Sequence, residues 1–379
     1  MIPFGVPAPF DEDGKLIHEL VREAGLSQQF MLREHCRGLE EDFAQRTGAG
    51  HAIAVGSGTA AVLVALKAAG VGPDDEVISP AFCCQAVASQ VIALGARPVF
   101  VDVDPHTLVM DPNTIERRIT PRTRVILPAH RFSSMVDMAG VCEVARRYGL
   151  GVVEDAGGQH GAGRDGILAG RRGDIGTYSF AQAQVLGGCG EGGMIVTDDE
   201  AMAARAGMLR NHGQDGVRRF HHQLMGFNCR MDEIVAGYLR HRFTELDAII
   251  QRLRRIAVYY NECLAPLADR VVMPPTDLES LCYQSYVIQA PQRDALQAHL
   301  RERGILSRVY YPRILPQQRA FQDYASPADH LPVSIRVASE NLALPIYPGL
   351  ADSEVEAVMD AVLDFFRPSR SPHTRSAAR

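Results

Sequence analysis

Residues 51–80 read HAIAVGSGTAAVLVALKAAGVGPDDEVISP. HAIAV (51–55) predicts a strand, the apolar spacing of residues 59–70 predicts a helix, and EVISP (76–80) predicts a second strand. A strand, a helix and another strand in this order indicate a right-handed crossover between two parallel strands. This unit therefore predicts an α/β fold.

The same alternation continues to about residue 200. Further strands are predicted in PVFVDVD (98–104), RVILPAH (124–130), GVVEDAG (151–157), IGTYSF (175–180) and GMIVTDD (193–199). Helices are predicted in CQAVASQVIALG (84–95) and GVCEVARRYG (140–149). Seven short strands that alternate with helices predict a mostly parallel sheet covered on both faces. Ligands of such sheets bind at the ends of the strands, so we expect the site there.

A second unit follows the sheet. A long helix is predicted from about Asp232 to Cys263, and the elements after it, with both helical and strand patterns, predict a smaller α+β domain. A chain of 379 residues exceeds the usual size of one domain. We therefore predict a large domain at 1–240, a small C-terminal domain with the long connecting helix at 241–367, and a disordered tail at 368–379.

Composition narrows the classes of function. The formal net charge of -6 leaves no basic stripe for nucleic acid and no cluster for anionic lipid. Without a signal-like or membrane-spanning apolar run, we expect a cytoplasmic protein that acts on a small molecule. The eight cysteines are scattered apart from the neighbours Cys83 and Cys84, and no Cys-x-x-Cys pair occurs, so we expect free thiols and no metal site.

The first chemical motif is Gly56-Ser57-Gly58-Thr59, which follows a predicted strand and opens a helix. Glycine allows close approach of the backbone, and the free amides at a helix start favour a phosphate. A plain turn between strand and helix is the alternative interpretation.

The second motif is Val152-Val153-Glu154-Asp155-Ala156, a buried type of strand that ends in two carboxylates. A carboxylate at this position can pair with a protonated pyridine nitrogen and make that ring an electron sink. A helix cap or a surface acid is the alternative.

Two further stretches complete the set. GDIGTYSF (173–180) predicts a strand whose Ser179 can offer a hydroxyl to a phosphate, and it continues into the glycine-rich GGCGEGG (187–193). GFNCRMDEI (226–234) predicts a loop with Asn and Arg just before the long helix. Taken separately, both stretches could be ordinary turns and caps.

In this order, the motifs resemble those of the DegT-type sugar aminotransferases, a branch of the fold-type-I pyridoxal phosphate enzymes. The resemblance covers nearly the whole chain, through IPF (2–4), GPDDEVISPAF (72–82), PVFVDVDPHTL (98–108), ITPRTRVILPAH (119–130), EDAGGQHGA (154–162), LRNHG (209–213) and LALPIYPGL (342–350). It implies a large domain with a seven-stranded sheet between helices and a smaller C-terminal domain.

The resemblance also implies roles for particular residues. Gly58, Thr59 and Ser179 are expected to bind the cofactor phosphate, and Asp155 to pair with the pyridine nitrogen. Asn228 is expected to reach the phosphate in the neighbouring subunit's site. The functional unit should then be a homodimer with sites shared across the interface.

The chain departs from the family at the residue that anchors the cofactor. Gln184 stands where the family keeps its Schiff-base lysine, and Val185 stands at the following asparagine, with no gap up to the glycines at 190–193. Lysine occurs only at Lys15, before the fold begins, and at Lys67, about 12 Å along its helix from the phosphate motif. An amide neither forms the imine nor carries the proton, so we expect ordinary transamination to be very slow.

Two more contacts in the same pocket differ from the family pattern. Gly158 holds the position of the glutamine that supports the cofactor's phenolic oxygen, and Gln159 is displaced from it by one residue. Cys84 replaces the aromatic side chain that often stacks on the ring. The cofactor is therefore expected to be pyridoxal or pyridoxamine phosphate held noncovalently, or to be absent.

Other side chains could supply a base. His130 and His160 end predicted strands that face the expected cleft, and we count both, with Gln184 itself, as candidate catalytic residues. A hydrogen-bonded structural role is the alternative for each histidine. Cys84 and Cys189 are weaker candidates, because buried cysteine usually acts as a small hydrophobe.

Three functions remain open. In the first, a dehydratase-like or lyase-like enzyme of sugar, cyclitol or natural-product biosynthesis holds the vitamin B6 cofactor without a covalent bond. In the second, the scaffold performs a condensation, cyclisation or elimination without a cofactor. In the third, the chain is a noncatalytic partner of an active aminotransferase. The substrate is not predicted, because fold resemblance says little about specificity.

Overall fold

A computed structural model of the protein describes residues 1–5, 10–218, 220–275 and 280–367, so the predicted tail at 368–379 lies outside the described residues. The strands in the first part of the chain are β1 (His51–Val55), β2 (Glu76–Pro80), β3 (Arg97–Val101), β4 (Thr123–Ile126), β5 (Gly151–Asp155), β6 (Gly163–Arg164), β7 (Ile167–Leu168), β8 (Ile175–Ser179) and β9 (Gly193–Thr197). Each of the seven strands that the sequence predicts up to residue 200 is present.

Those seven strands form one sheet in the order β1-β9-β8-β5-β4-β2-β3. The pairs from β8 to β3 are parallel, whereas β9 runs antiparallel to both of its neighbours. The predicted α/β fold with a mostly parallel seven-stranded sheet is confirmed. Strands β6 and β7 form a separate small hairpin.

The helices are α1 (Phe10–Ser27), α2 (Glu34–Thr47), α3 (Gly58–Ala68), α4 (Ala86–Ala93), α5 (Met138–Tyr148), α6 (Glu200–Arg210), α7 (Glu233–Leu264), α8 (Arg293–Glu302), α9 (Pro332–Glu340) and α10 (Asp352–Phe366). Strands β10 (Tyr286–Gln289) and β11 (Asn341–Leu344) form an antiparallel pair in the C-terminal part. Along the described ranges, each helix is too short or too polar to cross a lipid bilayer.

Apolar side chains cover both faces of the sheet. One cluster joins the sheet to α3, α4 and α6 through residues such as Val62 and Ile195. A second cluster, with Phe43 and Tyr178, lies under α2 and α7 and continues to β10, β11 and α10. A third cluster packs α5 against the sheet. Burial on both faces explains why the strands read as continuous apolar runs.

Helix α7 begins and ends within one residue of its predicted bounds. It contacts α1 and α2 at one end of its path and α10 at the other. The predicted domain boundary between residues 240 and 241 lies inside this helix, and the division into two domains stays a prediction.

One edge of the sheet collects the loops that follow β1, β2, β4, β5 and β8, because these five strands point the same way.

Candidate active site

Gly58 and Ser179 meet where β1 leads into α3 and β8 ends. The Ser57 hydroxyl accepts a hydrogen bond from Ala60 N–H at 3.0 Å, which caps α3 and leaves Gly58 at its first position. A β-carbon at Gly58 would lie 2.5 Å from Ser179 Oγ, so only glycine fits there. We call Gly58, the exposed Thr59 and Ser179 the phosphate end, since free amides at a helix start attract phosphate.

Asp155 is the last residue of β5, and each of its two carboxylate oxygens accepts a hydrogen bond. Its Oδ1 accepts a hydrogen bond from Gly157 N–H at 2.9 Å, and its Oδ2 accepts one from the Arg131 guanidinium. The side chains of Arg131 and Asp155 are only 12% and 5% exposed, so this ion pair is largely shielded from water. Arg131 comes from the loop after β4.

The Arg131 guanidinium also contacts two thiols. It donates through Nη2 to Cys84 Sγ at 3.0 Å and through Nε to Cys83 Sγ at 3.2 Å. We call Cys83, Cys84, Arg131 and Asp155 the ring end, because two of these residues stand at positions implied to contact the cofactor ring. One cation therefore joins three acceptors in a buried cluster.

A hydrogen bond with the Cys83 thiol, together with the charge of Arg131, lowers the pKa of Cys84 to about 6, although burial and Asp155 oppose this shift. Burial raises the pKa of Cys83, so that thiol keeps its proton and can donate it. Cys83 is buried, whereas Cys84 is half-buried. The cluster is thus arranged to hold a thiolate at Cys84 near neutral pH.

Gly157 lies between the two ends. A β-carbon on this glycine would be 3.1 Å from Asp155 Oδ1, 3.2 Å from Arg131 Nη1 and 3.9 Å from Ser179 Cβ. The phosphate end and the ring end are therefore neighbours in one site, and only backbone separates them.

Gln184 lies in the turn after β8, where its N–H donates to Ala181 O at 2.8 Å. Its side-chain Oε1 is buried, has no hydrogen-bond partner, and packs directly over Gly158. Gln284 approaches Gly158 as well, with its Cγ 2.9 Å from the place that a β-carbon would take. An orphaned amide oxygen is costly when it is buried, so this acceptor is available to a ligand donor.

The sequence model of the DegT/DnrJ/EryC1/StrS aminotransferase family matches residues 11–363. This protein belongs to that family.

Other members of this family are similar to this chain both in sequence and in structure. The UDP-N-acetyl-3-dehydro-alpha-D-glucosamine 3-aminotransferase of Acidithiobacillus ferrooxidans is 38% identical over 333 residues, which are 88% of this chain and 89% of the relative. The crystal structure of Streptomyces venezuelae DesV in complex with a ketimine intermediate has a TM-score of 0.92 at 34% identity, and the match covers 97% of this chain and 99% of DesV. Bacillus subtilis NtdA with bound cofactor PMP has a TM-score of 0.88 at 29% identity, over 96% of this chain and 84% of NtdA.

His130 does not face the pocket of this aminotransferase-family protein, contrary to expectation. Its side chain is fully buried, and Val136 N–H donates to its Nδ1 at 3.0 Å. The proton is therefore on Nε2, which donates to Glu154 Oε1 at 2.7 Å. Glu154 also accepts amide hydrogen bonds from the turn at 170–173. Both ring nitrogens are occupied, so the geometry supports a structural role.

His160 is buried too, and it also does not reach the expected cleft. It stacks on Tyr178 and Phe180 with ring centroids 5.8 and 5.6 Å away, and neither of its nitrogens has a hydrogen-bond partner. Burial, with a smaller contribution from the charge of Arg46, lowers the pKa of His160 to about 3. The imidazole is therefore neutral in the folded protein at ordinary pH.

Gln159 turns away from the ring end. Its Nε2 donates to Phe132 O at 3.0 Å, and its Oε1 accepts a hydrogen bond from Cys282 Sγ at 3.3 Å. The one-residue displacement that the sequence shows thus moves this amide into the protein wall. The side chains of Gln184 and Gln284 lie against Gly158 instead.

The remaining predicted residues lie apart from these contacts. Asn228 is exposed, in a segment paired with Asn211 and joined to β1 through Gly56 N–H, which donates to Cys229 O at 2.9 Å. Its role in a neighbouring subunit stays a prediction. Val185 is buried in the core and Cys189 is exposed. Within the described part of the chain, no group of three or more His, Cys, Asp or Glu side chains is placed to hold a metal ion.

The two lysines of the chain lie on α1 and α3. Lys15 is exposed on α1, and Lys67 is in the last turn of α3, at the end opposite Gly58. The distance between the two ends of α3 is several times the reach of a hydrogen bond.

Four residues near the site were not predicted from the sequence, namely Arg131, Cys83, Gln284 and Tyr311. Tyr311 packs edge-on against Phe82 with ring centroids 5.7 Å apart, and burial raises its pKa, with a further contribution from Cys84. Arg131 could have been noticed, because a charged residue directly follows the apolar strand-end motif RVILPAH.

The two ends fit the family cofactor unequally. The phosphate end presents helix amides, a glycine and a hydroxyl, which suit a phosphate group. At the ring end, the outer oxygen of Asp155 already binds Arg131, whose guanidinium reaches from Asp155 to Cys84. A pyridine ring that paired with Asp155 would have to displace this cation. The residues as arranged therefore fit the phosphate and not the ring.

Proposed function

We propose that this chain is an enzyme of sugar, cyclitol or related small-molecule biosynthesis that does not carry out ordinary transamination. Gln184 carries the proposal, because the resemblance aligns its neutral amide with the Schiff-base lysine of the family and because its Oε1 lies against Gly158. Lys67 lies in the last turn of α3, at the end opposite Gly58, and Lys15 is exposed on α1. An amide has no useful basicity near neutral pH, so it cannot carry the proton as the lysine does.

The substrate class follows from the family. The relative from Acidithiobacillus ferrooxidans is named for a 3-dehydro sugar nucleotide, which bears a ring ketone. We propose that this chain also takes a ketone-bearing sugar or cyclitol. The functional unit that we propose is a homodimer in the cytoplasm, and the exposure of Asn228 is compatible with a contact across its interface.

Two versions of this function differ in the cofactor. The close contact of Gly58 with Ser179 supports a version in which pyridoxal or pyridoxamine phosphate is held noncovalently. The Arg131–Asp155 ion pair supports a cofactor-independent version. We place the second version first, because arginine stays charged at any ordinary pH and would lose its buried carboxylate partner to a pyridinium.

In the cofactor-independent version, the phosphate end and Gln184 act directly on the substrate. The α3 amides and Ser179 bind an anionic group, and the buried Oε1 of Gln184 accepts a hydrogen bond from a substrate hydroxyl. When bound, the B6 cofactor would supply an electron sink.

The test is an amine-transfer assay with purified protein. The protein is supplied with pyridoxal phosphate, an amino donor and a keto-sugar nucleotide, and amino-sugar formation is followed by mass spectrometry. We expect no repeated turnover by the wild type. Repeated turnover, or a lysine-type covalent adduct with the cofactor, would overturn the proposal.

Gln184→Lys is the matched variant. If the ring end excludes the cofactor as Arg131 indicates, this variant alone stays inactive, and Gln184→Lys with Arg131→Leu gains a covalently bound cofactor. A covalent adduct in Gln184→Lys alone would favour the version with noncovalent cofactor.

A further inference from the structure

The ring end contains a nucleophilic side chain, Cys84, that has no role in the proposed function above. Cys84 is half-buried at the pocket, 3.0 Å from the Nη2 of a cation that cannot lose its charge. Its neighbour Cys83 is buried and lies against the same guanidinium at 3.2 Å. A thiol held by a fixed cation and a second thiol has the surroundings of reactive cysteines.

The charged and titratable groups around Cys84 belong to four segments of the chain. They are Cys83 beside it, Arg131 after β4, Asp155 at the end of β5, and Tyr311 in the C-terminal part. Arg131 and the Cys83 hydrogen bond favour the thiolate, whereas Asp155 opposes it. Asp155 also fixes the guanidinium in place through its own hydrogen bond. The balance of these contacts, and not burial alone, sets the state of Cys84.

We propose that Cys84 is a catalytic nucleophile that adds to the ketone carbon of the substrate, and that Arg131 is the residue that positions it. This inference takes its substrate class from the proposed function. In the step, the Cys84 sulfur forms a bond to the carbonyl carbon while the carbon–oxygen π bond breaks. The electron pair moves to the oxygen, which takes a proton from water. Nothing is oxidised, and the addition is reversible.

The location suits a substrate with both an anionic group and a ketone. Arg131 and Ser179 both lie close to Gly157, because their nearest side-chain atoms are 3.2 and 3.9 Å from the place that a β-carbon on this glycine would take. A small phosphorylated ketone can therefore contact the phosphate end while its carbonyl carbon approaches Cys84. Dihydroxyacetone phosphate has this composition, and glycerol 3-phosphate has the same phosphate without the ketone.

The first experiment measures alkylation of the intact protein by iodoacetamide between pH 5 and 9, with peptide mass spectrometry to assign each cysteine. The midpoint of the rate profile for Cys84 should lie near pH 6, well below the value of about 8.5 that is usual for a free thiol. At pH 6.5, a thiol of pKa about 6 should react about fivefold faster than an unperturbed thiol of equal access, because its larger thiolate fraction outweighs its lower nucleophilicity.

Variants separate positioning from folding. Arg131→Gln should raise the Cys84 midpoint by more than one pH unit, and Arg131→Lys should restore part of the shift. Cys83→Ala removes the hydrogen bond that lowers the Cys84 pKa most, so it should raise the midpoint at least as much, and it keeps the test valid if Arg131→Gln fails to fold. An unchanged midpoint in all soluble variants would overturn the proposed role of Arg131.

The second experiment tests the nucleophile itself. Dihydroxyacetone phosphate should slow the alkylation of Cys84 more than glycerol 3-phosphate does at equal concentration, and Cys189 should be unaffected by either. Equal protection by the two phosphates, or none, would overturn addition to the ketone. Neither experiment requires turnover, so this inference can fail while the absence of transamination holds, and the reverse is also true.

Discussion

The phosphate end and the ring end lie on either side of Gly157, and they have diverged to different degrees. At the phosphate end, Gly58 and Ser179 touch as the family pattern implies, and backbone amides supply the donors. At the ring end, a buried ion pair with Arg131 takes up the carboxylate that the pattern reserves for a ring nitrogen. Binding groups that belong to the backbone are positioned by the fold itself. Binding groups on side chains change whenever the residue is substituted.

The largest change in stability is expected when the carboxylate of Asp155 is removed from the ring end. Asp155→Asn leaves the Arg131 cation buried without its counter-charge, and we expect the free energy of unfolding to fall by about 3 kcal/mol. Chemical denaturation followed by circular dichroism measures this. The control is Asp198→Asn, which removes a carboxylate that is 68% exposed and pairs with Arg171. It should cost less than about 1 kcal/mol. Equal losses in the two variants would contradict a shielded ion pair at the ring end.

A smaller loss of stability is expected when a side chain is added at Gly58 in the phosphate end. Gly58→Ala puts a β-carbon against Ser179, and we expect a loss of about 2 kcal/mol from overpacking, measured in the same denaturation experiment. Gly207→Ala is the control, because that glycine is also helical but has open space around it. The control should be neutral or more stable by up to about 1 kcal/mol. If Gly58→Ala behaves like the control, the two sides of the phosphate end are not in contact.

The smallest effect should be a gain in binding. Arg131→Leu frees Asp155, and we expect the affinity for pyridoxal phosphate to rise about tenfold, which is about 1.4 kcal/mol. Equilibrium dialysis of the wild type and the variant measures the change. Arg171→Leu removes an arginine from the partly exposed pair with Asp198 and should leave the affinity unaltered. A lower affinity in Arg131→Leu would mean that Arg131 helps to hold the cofactor, and the order of our two versions would reverse.

Local patterns were sufficient for most of the fold. The apolar runs at 51–55, 76–80 and 193–197 became strands because β-branched residues were buried on both faces. The long helix followed from its apolar spacing. The direction of β9, antiparallel to its neighbours, could not be predicted, since a strand pattern has no sense of direction. The C-terminal strand β11 was also missed, within a stretch noted only for its family resemblance.

The sequence by itself determined the family and the order of the sheet-forming elements along the chain, and it predicted that Gln184 stands at the position of the Schiff-base lysine. It also predicted that Gly58 and Ser179 belong to one phosphate-binding pattern, because the resemblance places one at the start of a helix and the other at the end of a strand. These features depend on neighbours in the chain or on a motif that can be matched directly.

Only the tertiary structure decided which side chains meet at the ring end and which face the core. Arg131 reaches Asp155 and Cys84 across 24 and 47 positions of sequence, and His130 and His160, which the sequence directs to the cleft, turn inward to Glu154 and to Tyr178. Contacts of this kind follow from the packing of side chains from distant segments. Local propensity and periodicity carry no information about such contacts, because they report only on residues close in sequence.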